Sequence, residues 1–154
     1  MAVERLYGYG DRLVPLHGDL AALSTIDFPV PEFGGVIAIQ SQHHLPGPAL
    51  QSAYRRIHFV LRPGGVFLLL ERLKVENAVV FPLLRSVWQR LDRQHGSGTT
   101  PQEGDTFARH QMAQKEEEDV PVTLETHLAW LRECRFDVAT LHVHGNRGLI
   151  AAIK

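Results

Sequence analysis

The stretch Leu61-Arg62-Pro63-Gly64-Gly65-Val66-Phe67-Leu68-Leu69-Leu70-Glu71 decides the fold. Pro63 removes a backbone donor and fixes φ, and the two glycines permit a sharp reversal, so any helix arriving from upstream must stop here. Val66 to Leu70 is then an unbroken apolar run, the pattern of a strand buried on both faces. The arriving segment, Pro48 to Leu61, places Leu50, Tyr54, Ile57 and Leu61 at spacings of three and four, which predicts a helix with one apolar face. Arg55 and Arg56 fall mostly off that face. Before the helix, Gly35 to Ile39 is a second buried-strand run and His43 to Pro48 a loop. Strand, helix, tight turn and strand make a crossover unit, and the fold class is α/β with a parallel strand pair.

Working outward, Leu13 to His17 is short and apolar between turn residues and predicts a strand. Pro29 and Pro31 make Gly18 to Phe33 a loop. Val3 to Tyr9 reads as a helix end stopped by Gly8 and Gly10. Downstream, Asn77 to Asp92 predicts a helix with Val80, Leu84, Val87, Trp88 and Leu91 on one face. Gly96 to Gly104 reads as a linker and Thr106 to Glu118 as a polar, helical segment. The acidic run Glu116 to Asp119 reads as a solvated helix end. Thr123 is an N-cap residue for a helix running to Cys134. Phe136 to His142 and Leu149 to Ile153 predict a terminal antiparallel hairpin around Gly145-Asn146-Arg147-Gly148.

The 154 residues fit one domain, and 44% apolar with 21% charged residues is ordinary for a soluble globular chain. A formal net charge of −1 provides no basic footprint, so nucleic acid is not an expected partner. Cys134 is the single cysteine, which rules out an internal disulfide or a cysteine zinc cluster and suits a reducing, cytoplasmic location. No secretory signal is seen at the N-terminus, and no apolar run is long enough to cross a bilayer, so no membrane association is expected.

The order of several short motifs carries a resemblance. Gly18-Asp19-Leu20 follows the first predicted strand. Phe33-Gly34-Gly35-Val36-Ile37-Ala38-Ile39 leads into Gln40-Ser41-Gln42-His43-His44-Leu45. After the helix come the Arg62-Pro63-Gly64-Gly65 turn and Glu71. Leu124-Glu125-Thr126-His127-Leu128 opens the last helix, and Leu131-Arg132-Glu133-Cys134-Arg135-Phe136 precedes the hairpin. In this order the chain resembles the C-terminal two-thirds of a class I S-adenosylmethionine-dependent methyltransferase of the small-molecule type. Residues 1–154 then form one partial methyltransferase domain, a Rossmann-like sheet without its first two strands. The segment 77–118 corresponds to the variable insertion, or lid, that often covers the substrate.

The resemblance implies methyl transfer from S-adenosylmethionine to a small-molecule acceptor. It also implies that Asp19, with Leu20, contacts the adenine, a carboxylate serving as pure acceptor for the amino group. The same Asp19 suits capping of its own downstream turn. Gln40 and Ser41, beyond the end of a strand, would border the methionine moiety. His43 and His44 are the candidate general bases, since imidazole titrates near neutral pH; equally, they suit packing and hydrogen bonding within the loop. Trp88 and Phe107 suit either the insertion's substrate-facing wall or plain core. His142 and His144 share a strand face, but nothing nearby supplies a third ligand, and no metal is expected.

The family's glycine-rich cofactor loop and ribose-binding acid have no counterpart in the sequence. Gly8-Tyr9-Gly10-Asp11-Arg12-Leu13 leads into a strand rather than a helix and is not such a loop. The chain alone is therefore expected to bind S-adenosylmethionine weakly or not at all. The alternative to a competent enzyme is a non-catalytic fragment, or a module that needs a partner to supply the cofactor-binding half. Without the missing strands, Val36 to Ile39 would leave an open apolar edge that favours self-association. The absence of an Asp/Asn-Pro-Pro-Tyr sequence after Ile39 separates the chain from resembling enzymes that methylate adenine or glutamine amino groups. Cys134 does not follow a proline, so the cytosine-C5 nucleophile motif is absent too. Gly34 stands where the family commonly has Asp.

Overall fold

The predicted crossover forms, and its parts are continuous with one another. A computed structural model describes residues 12–95 and 106–154. Strand β1 (Phe33–Ile39) leads through a short 3-10 turn (Gln42–His44) into helix α1 (Gly47–Val60), and strand β2 (Leu61–Arg72) starts with no intervening loop. β1 and β2 are parallel. The Arg62–Gly65 turn is a bulge within β2: Phe33 pairs with Leu61, and pairing resumes at Gly35 with Val66. Lys154, the last residue, closes this corner. Its ammonium donates to the carbonyls of Phe59 and Leu61 at the end of α1, at 3.3 and 2.6 Å. This places a cation on orphan carbonyls at the negative end of the helix.

Helices α2 (Phe81–His95), α3 (Phe107–Glu116) and α4 (Leu124–Glu133) follow, and strands β3 (Asp137–His144) and β4 (Arg147–Ile153) form the terminal hairpin. Thr123 caps α4 as expected, accepting from the Thr126 amide at 3.1 Å. The hairpin turn is only Gly145-Asn146, with Gly145 at φ +58°, a conformation suited to glycine. The sheet order is β1-β2-β4-β3, with β4 antiparallel to both neighbours.

One face of the sheet is covered. Phe67 and Leu69 of β2 and Ile150 and Ala152 of β4 pack against Tyr54 and Ile57 of α1 and Leu131 of α4, all buried. The other face corrects the expectation of strands buried on both sides. Ile37 and Ile39 project there, 68% and 60% exposed, next to the half-buried Leu68 and Leu70.

Two further expectations change. Leu13 to His17 is not a strand: it joins no sheet, and Leu13, Val14 and Leu16 are exposed rather than packed against one. The helix expected over Asn77 to Asp92 runs instead from Phe81 to His95, and it packs on α3 through Phe81, Trp88, Phe107 and His110. The expected helix Val3 to Tyr9 and linker Gly96 to Gly104 lie outside the described residues.

Candidate functional site

The site lies where the parallel pair β1–β2 ends. Ile39 is followed by Gln40, whose amide makes the last rung to the Leu70 carbonyl at 2.8 Å and whose φ of +45° turns the chain out of the sheet. The loop that results is held from below by Glu71. Strand alternation puts Glu71 on the same face as Phe67 and Leu69, so its carboxylate is fully buried under the loop. Oε2 accepts from the amides of Ser41 and Gln42, at 3.2 and 2.7 Å. Oε1 accepts from the Arg72 amide at 2.7 Å and lies 2.5 Å from His43 Nδ1. Burial pushes the Glu71 pKa up, but the His43 hydrogen bond and the two backbone donors outweigh it and leave the carboxyl below its ordinary value. An ionised acid is the side chain that can accept all four bonds.

The segment after α3 completes the site. Glu118 adopts φ +56°, and the chain then brings Asp119 beneath the loop, with the Val120 amide donating to the His43 carbonyl at 2.7 Å. Asp119 is buried, contrary to the reading of Glu116 to Asp119 as a wholly solvated helix end; Glu116, Glu117 and Glu118 are exposed. Its Oδ1 lies 2.9 Å from His44 Nδ1 and 3.7 Å from His43 Nε2. Its Oδ2 accepts from the Arg72 guanidinium, which also reaches Glu117 at 3.0 Å.

The fold that carries this site recurs in solved structures. An O-methyltransferase family protein from Burkholderia thailandensis superposes with a TM-score of 0.65 at 12% identity, over 99% of this chain and 40% of its own. An O-methyltransferase family 2 protein from Planctomyces limnophilus, solved with apigenin, gives 0.63 at 19% identity over 99% and 38%. The CurJ carbon methyltransferase gives 0.60 at 20% identity over 99% and 37%. The chain has the class I S-adenosylmethionine-dependent methyltransferase fold.

Sequence comparison points the same way. Sterol 24-C-methyltransferase of Eremothecium gossypii is 37% identical over 74 residues, 48% of this chain and 18% of that protein. The Yarrowia lipolytica enzyme is 39% identical over 64 residues, 42% and 16%. The matched stretch thus spans less than a fifth of these curated relatives. No protein-family model matches the chain.

On the methyltransferase fold the expected residues take distinct places. Asp19 is exposed and its Oδ1 accepts from the Ala21 amide at 2.8 Å, the turn-capping geometry. Leu20 and Ser41 come together on the wall of a groove of about 370 Å³ along the free edge of β1, with Phe28, Phe33 and Val36. Asp19 and Gln40 do not line it. His43 is buried with Nδ1 engaged by Glu71, whereas the His44 side chain is 55% exposed. Trp88 is buried in the aromatic cluster between α2 and α3. His142 and His144 stack at 6.1 Å and are exposed. Among the described residues, no helix is long and apolar enough to cross a membrane.

The residues that sequence reading missed are Glu71 and Asp119. Glu71 stands in a motif of the sequence that by itself assigns it no role. Its spacing of two from Leu69 and four from Phe67 was the available signal, since it puts a carboxylate on the core face. Asp119 carries no local signal.

Proposed function

We propose that this chain is the acceptor-facing part of an S-adenosylmethionine-dependent methyltransferase that acts on an apolar small molecule. The observation that carries this reading is the loop Gln40 to Leu45, held by Glu71 at the carboxyl ends of two parallel strands, where ligands of open α/β sheets bind. The cofactor, when bound, supplies an electrophilic methyl group; the protein's part is to align the acceptor for in-line attack. The groove fits part of that cofactor: Leu20, Phe28 and Val36 offer an apolar slot for a flat ring, and Ser41 a polar rim for the methionine end. Gln40 borders the same end of β1, and Asp19 offers its second carboxylate oxygen at the neighbouring turn. The exposed His44 is the loop side chain that an acceptor can reach.

Residues 77–118 serve as the acceptor cover in this reading. A second groove of about 520 Å³, past the end of β2, is lined by Val80, Leu84 and Val87 of the insertion with Leu124, Val143 and Asn146. Its apolar wall suits flat or polycyclic acceptors, in line with the apigenin bound by one structural neighbour and the sterol named for the curated relatives. Incubation with methyl-labelled S-adenosylmethionine and a flavonoid and sterol panel tests the proposal. Label in an acceptor supports it; no label, with intact folding and a saturable cofactor site, overturns it.

The exposed Ile37 and Ile39 favour a second reading, a module completed by another chain or a second copy. In that case calorimetry with the cofactor shows no saturation in the micromolar range for the 154-residue chain alone.

A further inference from the structure

We propose that His43, His44 and Asp119 form a binding site for a divalent transition-metal ion of the zinc class. Nothing in the methyl-transfer reading requires such a site, and it rests on geometry alone. Among the described residues these three are the one His/Cys/Asp/Glu group whose ligand atoms all lie within 4.8 Å of one another. The two histidine-to-carboxylate separations are 3.7 and 2.9 Å. Tetrahedral zinc with bonds of about 2.0–2.2 Å sets its ligands roughly 3.3 Å apart. The two histidine-to-carboxylate distances straddle that value, and the two imidazole nitrogens lie within 4.8 Å of each other.

Each ligand is prepared for the role. Glu71 accepts from His43 Nδ1, which fixes the tautomer and leaves the Nε2 lone pair facing Asp119. A carboxylate behind a ligating imidazole is the usual outer-shell arrangement of zinc histidines. Arg72 holds Asp119 through Oδ2 and leaves Oδ1 towards the two rings. That Oδ1 is buried, on a side chain 1% exposed, and makes no hydrogen bond despite the nearness of His44 Nδ1. An unsatisfied buried carboxylate oxygen is costly, and an ion at this point would satisfy it.

Charge argues in the same direction. With neutral histidines, the carboxylates of Glu71, Glu117 and Asp119 outnumber the Arg72 cation by two charges, which one dication balances. Two imidazoles and one carboxylate select zinc over magnesium or calcium, which prefer all-oxygen shells. His44 is 55% exposed, so the ion has an entry path and a fourth position open to water. Bound there, it would clasp the loop after β1 to the segment after α3.

The full chain, stripped with a chelator, should bind one zinc ion by calorimetry at a pH above the imidazole range. Cobalt in its place should give the visible bands of a tetrahedral site. His44→Ala changes a half-exposed side chain and leaves the core intact; it should weaken zinc by about tenfold or more, the loss that even an outer-shell partner produces. His142→Gln with His144→Gln removes the exposed pair and should change nothing. Absent zinc heat and cobalt bands would overturn the proposal, as would binding indifferent to His44→Ala or abolished by loss of His142 and His144. Cofactor and acceptor are absent throughout, so failure here leaves the methyl-transfer reading untouched, and the reverse.

Discussion

Glu71 and His43 meet across the ends of two parallel strands, Oε1 2.5 Å from Nδ1, although 28 residues separate them. The contact makes the loop after β1 a continuation of β2. The same carboxylate binds the amides of Ser41 and Gln42, so one side chain sets the path of three successive residues. A loop fixed in this way presents His44 and Ser41 at settled positions without an ordering cost on binding.

Glu71→Gln should therefore destabilise the chain by about 2–4 kcal/mol. The amide keeps one acceptor but turns an NH₂ group towards backbone donors or the His43 ring, leaving buried groups unpaired. Urea unfolding reads the change as a lower midpoint at unchanged slope. A loss below about 0.5 kcal/mol, the range of ordinary surface changes, would mean that the loop does not depend on this carboxylate.

A pH dependence follows from a second buried pair. The Tyr54 hydroxyl lies 2.6 Å from His127 Nδ1, and burial lowers the His127 pKa to about 4. The unfolded chain takes up this proton near the ordinary histidine value and the folded chain does not. The stability it contributes is thus complete above pH 6.5 and falls as pH drops from 6.5 to about 4, by up to ~3 kcal/mol. Glu71, also depressed, adds its own loss only at lower pH, below the ordinary 4.5. Thermal melts across this range should show the first fall, and His127→Asn, which keeps an acceptor for Tyr54, should flatten it. An unflattened profile would assign the fall to other groups.

The sheet face that the described residues leave uncovered should make the chain associate. Ile37 and Ile39, with the half-buried Leu68 and Leu70 beside them, form an apolar surface next to the free edge of β1. Size-exclusion chromatography with light scattering should give a dimer or larger species. The double variant Ile37→Lys, Ile39→Lys, at positions already exposed, should shift it towards monomer. A wild-type chain that stays a cooperatively melting monomer would show that this face tolerates water.

The strand–helix–strand unit was legible because each part carries its own local pattern: the three-and-four spacing of Leu50, Tyr54 and Ile57, and the apolar runs on either side. The run Val66 to Leu70 also carried a false implication. Apolar residues at every position say that both faces prefer cover, and only one face is covered by the described residues. Leu13 to His17 has the composition of a strand, but composition alone does not dock a segment on a sheet, and its apolar residues stay exposed. In the site, His43 and Ser41 were legible from the motif, but Asp119 was not. An acidic residue at the end of an acidic run looks solvated, and only the left-handed turn at Glu118 brings it under the loop.

The Pro63-Gly64-Gly65 turn offers a sharp test, because its two glycines are required for different reasons. Gly64 has φ +74° and open space around a would-be Cβ, so Gly64→Ala meets backbone strain alone, about 1 kcal/mol. Gly65 has no such φ, but a Cβ there would stand 2.8 Å from the Arg62 carbonyl oxygen and 3.0 Å from Leu61 Cδ2. Neither neighbour moves easily. Leu61 is fully buried, and the bulge is pinned to the chain end by hydrogen bonds from Gly64 to Lys154 at 2.7 Å and from Lys154 to Gly65 at 3.0 Å. Gly65→Ala should therefore cost more, about 2–3 kcal/mol, as overpacking does in a rigid core. Parallel urea titrations of the two variants decide the order. If Gly64→Ala proves the more damaging, the turn is limited by its backbone conformation, and the close approach of Gly65 to Arg62 is relieved more cheaply than its pinned ends imply.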